Sequence, residues 1–597
     1  MRKTVDYLVV IAVACCVFAT GGFRWQQCII PIVFLCFALV VMAKRVNVWA
    51  VFVAMGIIIF SAISVFNTQG NFQNSIYETE KFLLFPLALI LGTVVDKRTI
   101  KNGVYMAALM VAVVGLIAYC GFANINDFVI RDNGILRLQS LLRYANTTAC
   151  LIGCGYFVAI TMYSETQQKI HLYLSSVMLF AMFLTVSKAT IPIFMLIATF
   201  LVYKNKNVAV NFLIQNVFAA IFLVPVMLFA KNYMYFLAAV LIVVYVVISV
   251  YKPRFLSERF ACKLWIIAII IGVIGASLLS IIKPTLLSTF SQRLIYMKDS
   301  LKLLPRNIIF GTGPGSWKVL QYGIQSTQYD VAYIHNGFLQ FLIENGIVVA
   351  VGFVVICGLA IWCSIKQKYY DLGAAILLIA LHSMVDFDFS FGIVLILMGL
   401  MCGATVFAEN KQRGKNLLQY VSCVMIFVAV VNSVYMSTEY ILRHHFEKLC
   451  LLESYDDALV QAEKLEGICP QDSSLKMNMA AIIEKVNNDK VAIKKKIDEA
   501  RKLSPYDPEI FKGYMIYNVT EENVENLCKE YIDMKPRHES TYTELKGIVE
   551  NAYKSGAIAR DKKNNVITRI DEIRFNNKVY DRNELLDRII RMRSDKK

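Results

Sequence analysis

Several short stretches of this sequence carry residues able to do chemistry on a charged substrate. Arg293 stands ahead of Gly311-Thr312-Gly313-Pro314-Gly315-Ser316-Trp317, and Tyr333-Ile334-His335-Asn336-Gly337-Phe338-Leu339-Gln340 follows. Histidine titrates near neutrality and is suited to take a proton at physiological pH. A guanidinium binds phosphate oxygens through a planar fork. Gly311, Gly313 and Gly315 would let a turn present backbone N–H groups to an anion, although the turn lacks the Lys-Ser/Thr ending of a nucleotide phosphate loop. Upstream lie Arg131, Arg137 and Arg143, then Tyr144-Ala145-Asn146-Thr147-Thr148, then the turn Ser187-Lys188-Ala189-Thr190. Downstream lies His382-Ser383-Met384-Val385-Asp386-Phe387-Asp388. Each has a plain alternative: Asn336 fits a helix N-cap, Lys188 a side chain snorkelling to an interface, and His382 with Asp386 an anchored helix end.

The elements that must position these residues read as membrane helices. The sequence is 57% hydrophobic and 18% charged, with mean hydropathy +0.54, against about 25% charged in a soluble domain. Apolar runs at residues 7–23, 30–43, 107–120, 212–230, 236–250, 264–281 and 348–365, with a few flanking residues, can each cross a hydrocarbon core of about 30 Å. The expected fold is all-α: a polytopic membrane domain over residues 1–437 with about 12–15 spans, and a helical, soluble-looking domain over 438–597. Arg2 and Lys3 open the first segment without a convincing cleavage site after it, so it reads as a first transmembrane helix. The 15 cysteines are scattered through apolar helices and form neither a CxxC pair nor a metal-ligand cluster with the six histidines, so no metal is expected.

The net charge of +17 resides mostly in short loops of the membrane part. That is a topology signal and argues against a nucleic-acid surface. Cytoplasmic placement is expected for Arg2 and Lys3, Lys44 and Arg45, Lys97 with Arg98 and Lys101, Lys204 with Lys206, the basic residues of 252–259, Lys366 with Lys368, and Lys411 with Arg413 and Lys415. The alternating segments, around Trp25 and at 66–79, 123–144, 186–190 and the large loop 284–342, then lie outside, as does the C-terminal domain. All the candidate residues fall on that outer face. Ionisable groups at a membrane boundary are functional hypotheses by default. Arginines and a lysine with a histidine suit a phosphorylated, membrane-held substrate.

These residues carry a family resemblance. Arg293, Gly311-Thr312-Gly313-Pro314-Gly315 and His335-Asn336-Gly337-Phe338-Leu339-Gln340-Phe341-Leu342-Ile343-Glu344-Asn345-Gly346 resemble the signature of the O-antigen ligase and polymerase superfamily. Arg137 with Tyr144-Ala145-Asn146-Thr147-Thr148-Ala149 is similar to an earlier element of that family, and His382 with Asp386 to its late His-x-x-x-Asp motif. Two departures stand out. Ser187-Lys188-Ala189-Thr190 replaces the family's Ser-Arg-Gly-Ala, which keeps a charge but loses the bidentate fork. Of the family's Asn-Pro-Asn, only Asn146 remains. The resemblance implies a GT-C-like membrane glycosyltransferase of the bacterial cytoplasmic membrane, without metal or other cofactor. It would take a glycan from an undecaprenyl-diphosphate carrier at the outer face and pass it, with inversion, to an acceptor glycan or glycoconjugate. By the same resemblance, His335 is the general base and Arg293 binds the diphosphate. Arg137, Lys188, Asn336, His382, Asp386 and the glycine turn would contact substrate or carrier.

In the C-terminal domain Pro470, Pro505 and Pro536 recur at roughly the 34-residue period of tetratricopeptide-like helix pairs, with plain helical hairpins as the alternative. Such domains bind partners, here envelope proteins or glycan. The basic tail 588–597 reads as solvated. Two rival functions are a transporter of lipid-linked glycan, which should place polar groups near the midplane, and a non-catalytic envelope scaffold.

Overall fold

A computed structural model describes residues 2–42, 45–132, 134–251, 256–282, 288–407 and 416–577. Lys44, the first residues of the 252–259 loop, Pro284, Lys411, Arg413, Lys415 and the tail 588–597 lie outside the described residues. The order of helices is α1 (Arg2–Phe18), α2 (Ile29–Met42), α3 (Val48–Phe66), α4 (Phe72–Gly92), α5 (Lys97–Tyr119), α6 (Ala145–Thr166), α7 (Lys169–Leu184), α8 (Thr190–Lys204), α9 (Ala209–Lys231), α10 (Tyr235–Ser249) and α11 (Glu258–Ile282). The long segment between α11 and α14 contributes α12 (Ser288–Ser300) and α13 (Trp317–Ile324), and α14 (Gly337–Lys366), α15 (Tyr370–Ser383), α16 (Gly392–Val406) and α17 (Asn416–Leu451) follow. An antiparallel hairpin, Val129–Asp132 with Ile135–Leu138, interrupts the α5–α6 loop.

The chain is an all-α, multi-pass membrane protein. Among the described residues six helical segments are long and apolar enough to cross a membrane, and α7, α8, α10, α15 and α16 are shorter apolar helices beside them. Among the described residues one hydrophobic core joins α1–α11 with α14–α16, while large apolar side chains such as Phe37, Trp49, Ile221 and Val243 stand exposed. In water such a surface would be costly; facing lipid it is the expected outside of a bundle. The 66–79 segment, expected as a loop, is helical from Phe72, because Asn71 caps α4 by accepting from the Asn74 N–H.

The long α11–α14 loop has its own small core of Leu303, Trp317, Leu320, Tyr329 and Ile334, completed by Ile343 of α14. It is seated on α14 at Gly346, which breaks that helix with φ +82° and ψ 175°. A Cβ at Gly346 would lie 2.0 Å from the Ile309 carbonyl oxygen. Gly346→Ala is therefore expected to cost at least the roughly 1–3 kcal/mol of backbone strain at such a position. A lower melting temperature of the purified protein checks this.

The expected boundary at 437/438 falls inside α17, one continuous helix. Beyond it come α18 (Tyr455–Ile468), α19 (Ser473–Val486), α20 (Lys490–Leu503), α21 (Pro508–Asn518), α22 (Val524–Met534), α23 (Glu539–Lys554) and α24 (Arg560–Asn576), packed as successive hairpins. Pro470, Pro505 and Pro536 fall in the α18–α19, α20–α21 and α22–α23 turns.

Candidate active site

A single buried carboxylate, Asp386, gathers three distant segments of the chain. It lies in the turn after α15 and is fully shielded from solvent. Tyr144 Oη donates to it at 2.9 Å and Asn146 Nδ2 at 2.8 Å, both from the start of α6. Arg293 Nη2 from α12 pairs with it at 3.1 Å, and His335 Nδ1, just ahead of α14, at 3.2 Å. Burial alone would raise this carboxyl, but the His335 hydrogen bond and the Arg293 charge outweigh it and hold Asp386 well below the usual carboxylate range.

His335 has φ +60°, a left-handed conformation uncommon for a residue with a side chain. This lets the imidazole turn back to Asp386 while Asn336 caps α14 by accepting from the Leu339 N–H at 3.0 Å. The ring of Phe387 packs against it edge-on, 4.9 Å between centroids. With Nδ1 donating to Asp386, Nε2 keeps its lone pair. The side chain is 18% exposed and opens on a cleft.

The cleft measures about 580 Å³ and is lined by Arg137, Lys188, Arg293 and His335, with Pro192, Ile193 and Phe290 among its apolar walls. Arg137 is held by the Thr185 carbonyl, Asp132 and the Asn146 Oδ1, at 3.0, 3.0 and 3.1 Å. Asn146 thus bridges Arg137 and Asp386. Lys188 is exposed in the α7–α8 turn, which Ser187 and Thr190 tie together and fasten to the Asn146 carbonyl. Three cations and one imidazole share one cavity, although they lie far apart in sequence.

Other expected residues lie elsewhere. Gly311, Gly313 and Gly315 all have positive φ, but their turn does not offer N–H groups to a ligand. Gly311 N–H donates to the Asn307 carbonyl, Thr312 N–H to Ile343 and Gly313 N–H to Glu344. The Gly315 and Trp317 N–H groups go to the Glu344 carboxyl group. The acid this turn receives is the chain's own, and the glycines serve close packing: a Cβ at Gly311 would lie 2.3 Å from the Glu344 carbonyl oxygen. His382 is fully buried, off the cleft, with Nδ1 2.6 Å from Asp388 Oδ2. Asp388 also accepts from Thr147 and Ser383, so His382 braces the turn that carries Asp386. Cysteine and histidine do meet in space here, contrary to their separation in sequence: donor atoms of Cys150, His382 and Asp388 lie within 4.8 Å of one another.

Two groups near the site were not singled out from the sequence. Tyr144 is an Asp386 donor. Lys81, buried on α4, pairs with Glu78 at 2.6 Å and contacts Tyr333 Oη at 3.1 Å, while Lys318 reaches the same Glu78 at 2.9 Å. This network steadies the segment leading to His335. Its signal was a Glu-x-x-Lys pair inside a helix that turns wholly apolar after it.

No curated protein matches the chain. Residues 234–354 match a family model described as O-Antigen ligase. The match contains Arg293, the glycine turn and His335, so the chain is similar to that family over this stretch.

Proposed function

We propose that this protein is a glycosyltransferase that moves a glycan from an undecaprenyl-diphosphate carrier to an acceptor sugar at the outer face of the cytoplasmic membrane. The observation that carries the reading is the sharing of Asp386 by His335 and Arg293 at the wall of a cleft that also holds Arg137 and Lys188. An acceptor hydroxyl gives its proton to His335 Nε2, and its oxygen attacks the anomeric carbon. The bond from that carbon to the diphosphate breaks, and the electron pair leaves with the diphosphate oxygen. Cations fixed beforehand around that oxygen stabilise the departing charge without reorganising. One displacement inverts the anomeric centre. Arg293 keeps a buried Nε–H with no acceptor among the described residues, a donor that a slight rotation would bring to a diphosphate. No step calls on a metal.

Arg293→Ala tests the reading. Surface glycan should fall by about 10²–10³-fold while carrier-linked glycan accumulates, as for loss of one donor to a developing anion. Arg293→Lys should recover only part, since the fork is lost. Gel analysis of surface and lipid-linked glycan reads the result, and unchanged surface glycan at normal protein level would sink the proposal. Loss of long chains alone marks a polymerase. Loss of attachment with carrier-linked chains intact marks a ligase.

A further inference from the structure

Arg293, Tyr296 and Asp299 recur at helical spacing along one face of α12. That helix packs chiefly on residues 301–306 and on α13, both part of the outer loop, rather than on the membrane bundle. Apart from the bonds of Arg293 itself to Asp386 and the Val385 carbonyl, its position is set by what fixes the loop. Asp299 is fully buried and its Oδ2 accepts from the Ser326 N–H at 2.8 Å and from Tyr329 Oη at 3.1 Å. The Tyr329 ring packs on Tyr296 at 4.6 Å, and Tyr296 in turn lies 6.0 Å from the His335 ring. Gln325 completes the segment by donating to the Tyr329 carbonyl.

The other end of Gln325 is held by the C-terminal domain. His538 Nε2, at the start of α23, lies 2.9 Å from Gln325 Oε1, and both residues are buried. The Tyr322 ring meets His538 edge-on at 5.3 Å, and Lys535 sits 5.1 Å over the same ring. Gly323 lies against the Met534 backbone. A second attachment joins the α3–α4 turn: Asn71 Nδ2 donates to Ser473 Oγ at 2.8 Å and lies 3.4 Å from Asp472 Oδ1. Among the described residues the domain thus meets the membrane part at several places, Arg306 under the Tyr506 ring included, and one of them is a series of contacts from His538 through Gln325 and Tyr329 to α12.

We infer that the C-terminal helical domain is a positioning element for the cleft, acting through the His538–Gln325 contact on α12 and so on Arg293 and His335. It works inward on its own chain; no separate envelope partner is needed for this role. His538 and Gln325 are positioning residues and touch no substrate. The functional half of this inference rests on the glycosyltransferase reading, while the docking half stands on the contacts alone.

The test uses the full-length protein in lipid nanodiscs and measures hydrogen–deuterium exchange. His538→Ala should speed exchange over 288–300 and 325–335 by about tenfold or more, leaving 72–92 unchanged. His538→Gln, which can still donate to Gln325, should restore protection. Gln325→Ala removes the same contact from the other side and serves if the first variant does not accumulate. Glycan transfer in cells should fall by roughly 10- to 100-fold in the alanine variants, as for a displacement of catalytic groups by a distant change, and recover in His538→Gln. Unchanged exchange in both alanine variants overturns the proposal. Should His335→Ala abolish transfer while both alanine variants transfer normally, the positioning role is wrong and the catalytic reading stands. Should His335→Ala transfer normally, the catalytic reading fails, and exchange still decides the docking.

Discussion

His335→Ala should reduce glycan transfer by about 10²–10⁴-fold, the range expected for loss of a positioned general base. The imidazole has one nitrogen committed to Asp386 and the other left for a hydroxyl proton. Among the residues lining the cleft no other side chain is an imidazole: Arg137 and Arg293 carry guanidinium groups, Lys188 an amine, and Asp132 is paired with Arg137. The loss should appear in turnover and spare donor binding, because the three cations are untouched. The protein should still accumulate. His335 is partly exposed, and Asp386 keeps Arg293, Tyr144 and Asn146 after its removal. Carrier-linked glycan should therefore build up in cells whose only copy is the variant, with surface glycan lost on gels. Undiminished surface glycan would remove His335 from the mechanism.

How much of this was legible in the sequence varies with the range of the interaction. Helices in the membrane part follow from apolar runs, a local property, and they recur in the structure together with the shorter α7, α8, α15 and α16. Arg137, Lys188, Arg293 and His335 were recognisable by residue type and spacing, and they do line one cleft. The roles of their neighbours were not recognisable, because each depends on a partner far along the chain. Asp386 looked like a substrate contact at a helix end; only the fold brings it beneath Tyr144, Asn146, Arg293 and His335 and removes it from solvent. The glycine turn looked like an anion cradle, and its geometry does suit one. What the local sequence cannot say is that Glu344, about two turns of helix later than the cap at Asn336, already occupies it. The C-terminal domain read as a partner-binding array from its proline period. Its contacts with Gln325 and Asn71 involve single polar residues in loops, which no periodicity marks.

Asp386→Asn should lose both stability and transfer. The substitution keeps the shape and removes the charge that four donors share. Arg293 is left nearly buried without its counter-ion, and breaking a buried pair by removing one partner costs about 3–5 kcal/mol. One of the two new amide positions must also carry N–H groups toward Tyr144, Asn146, Arg293 or His335, so a donor faces a donor. Transfer should fall by about 10²–10⁴-fold, because His335 loses the acceptor that holds its Nδ1–H and keeps Nε2 free for the substrate. The pH dependence gives the sign. A carboxyl held below its ordinary value stabilises the fold above its unfolded pKa, and that contribution disappears as the pH falls through the lower folded value. The gap in melting temperature between wild type and Asp386→Asn should therefore stay constant from neutral into mildly acidic solution and close only in strong acid. Melting curves across that pH range, with glycan gels alongside, measure both effects. A variant that melts and transfers like the wild type would show that His335 and Arg293 do not depend on the carboxylate between them.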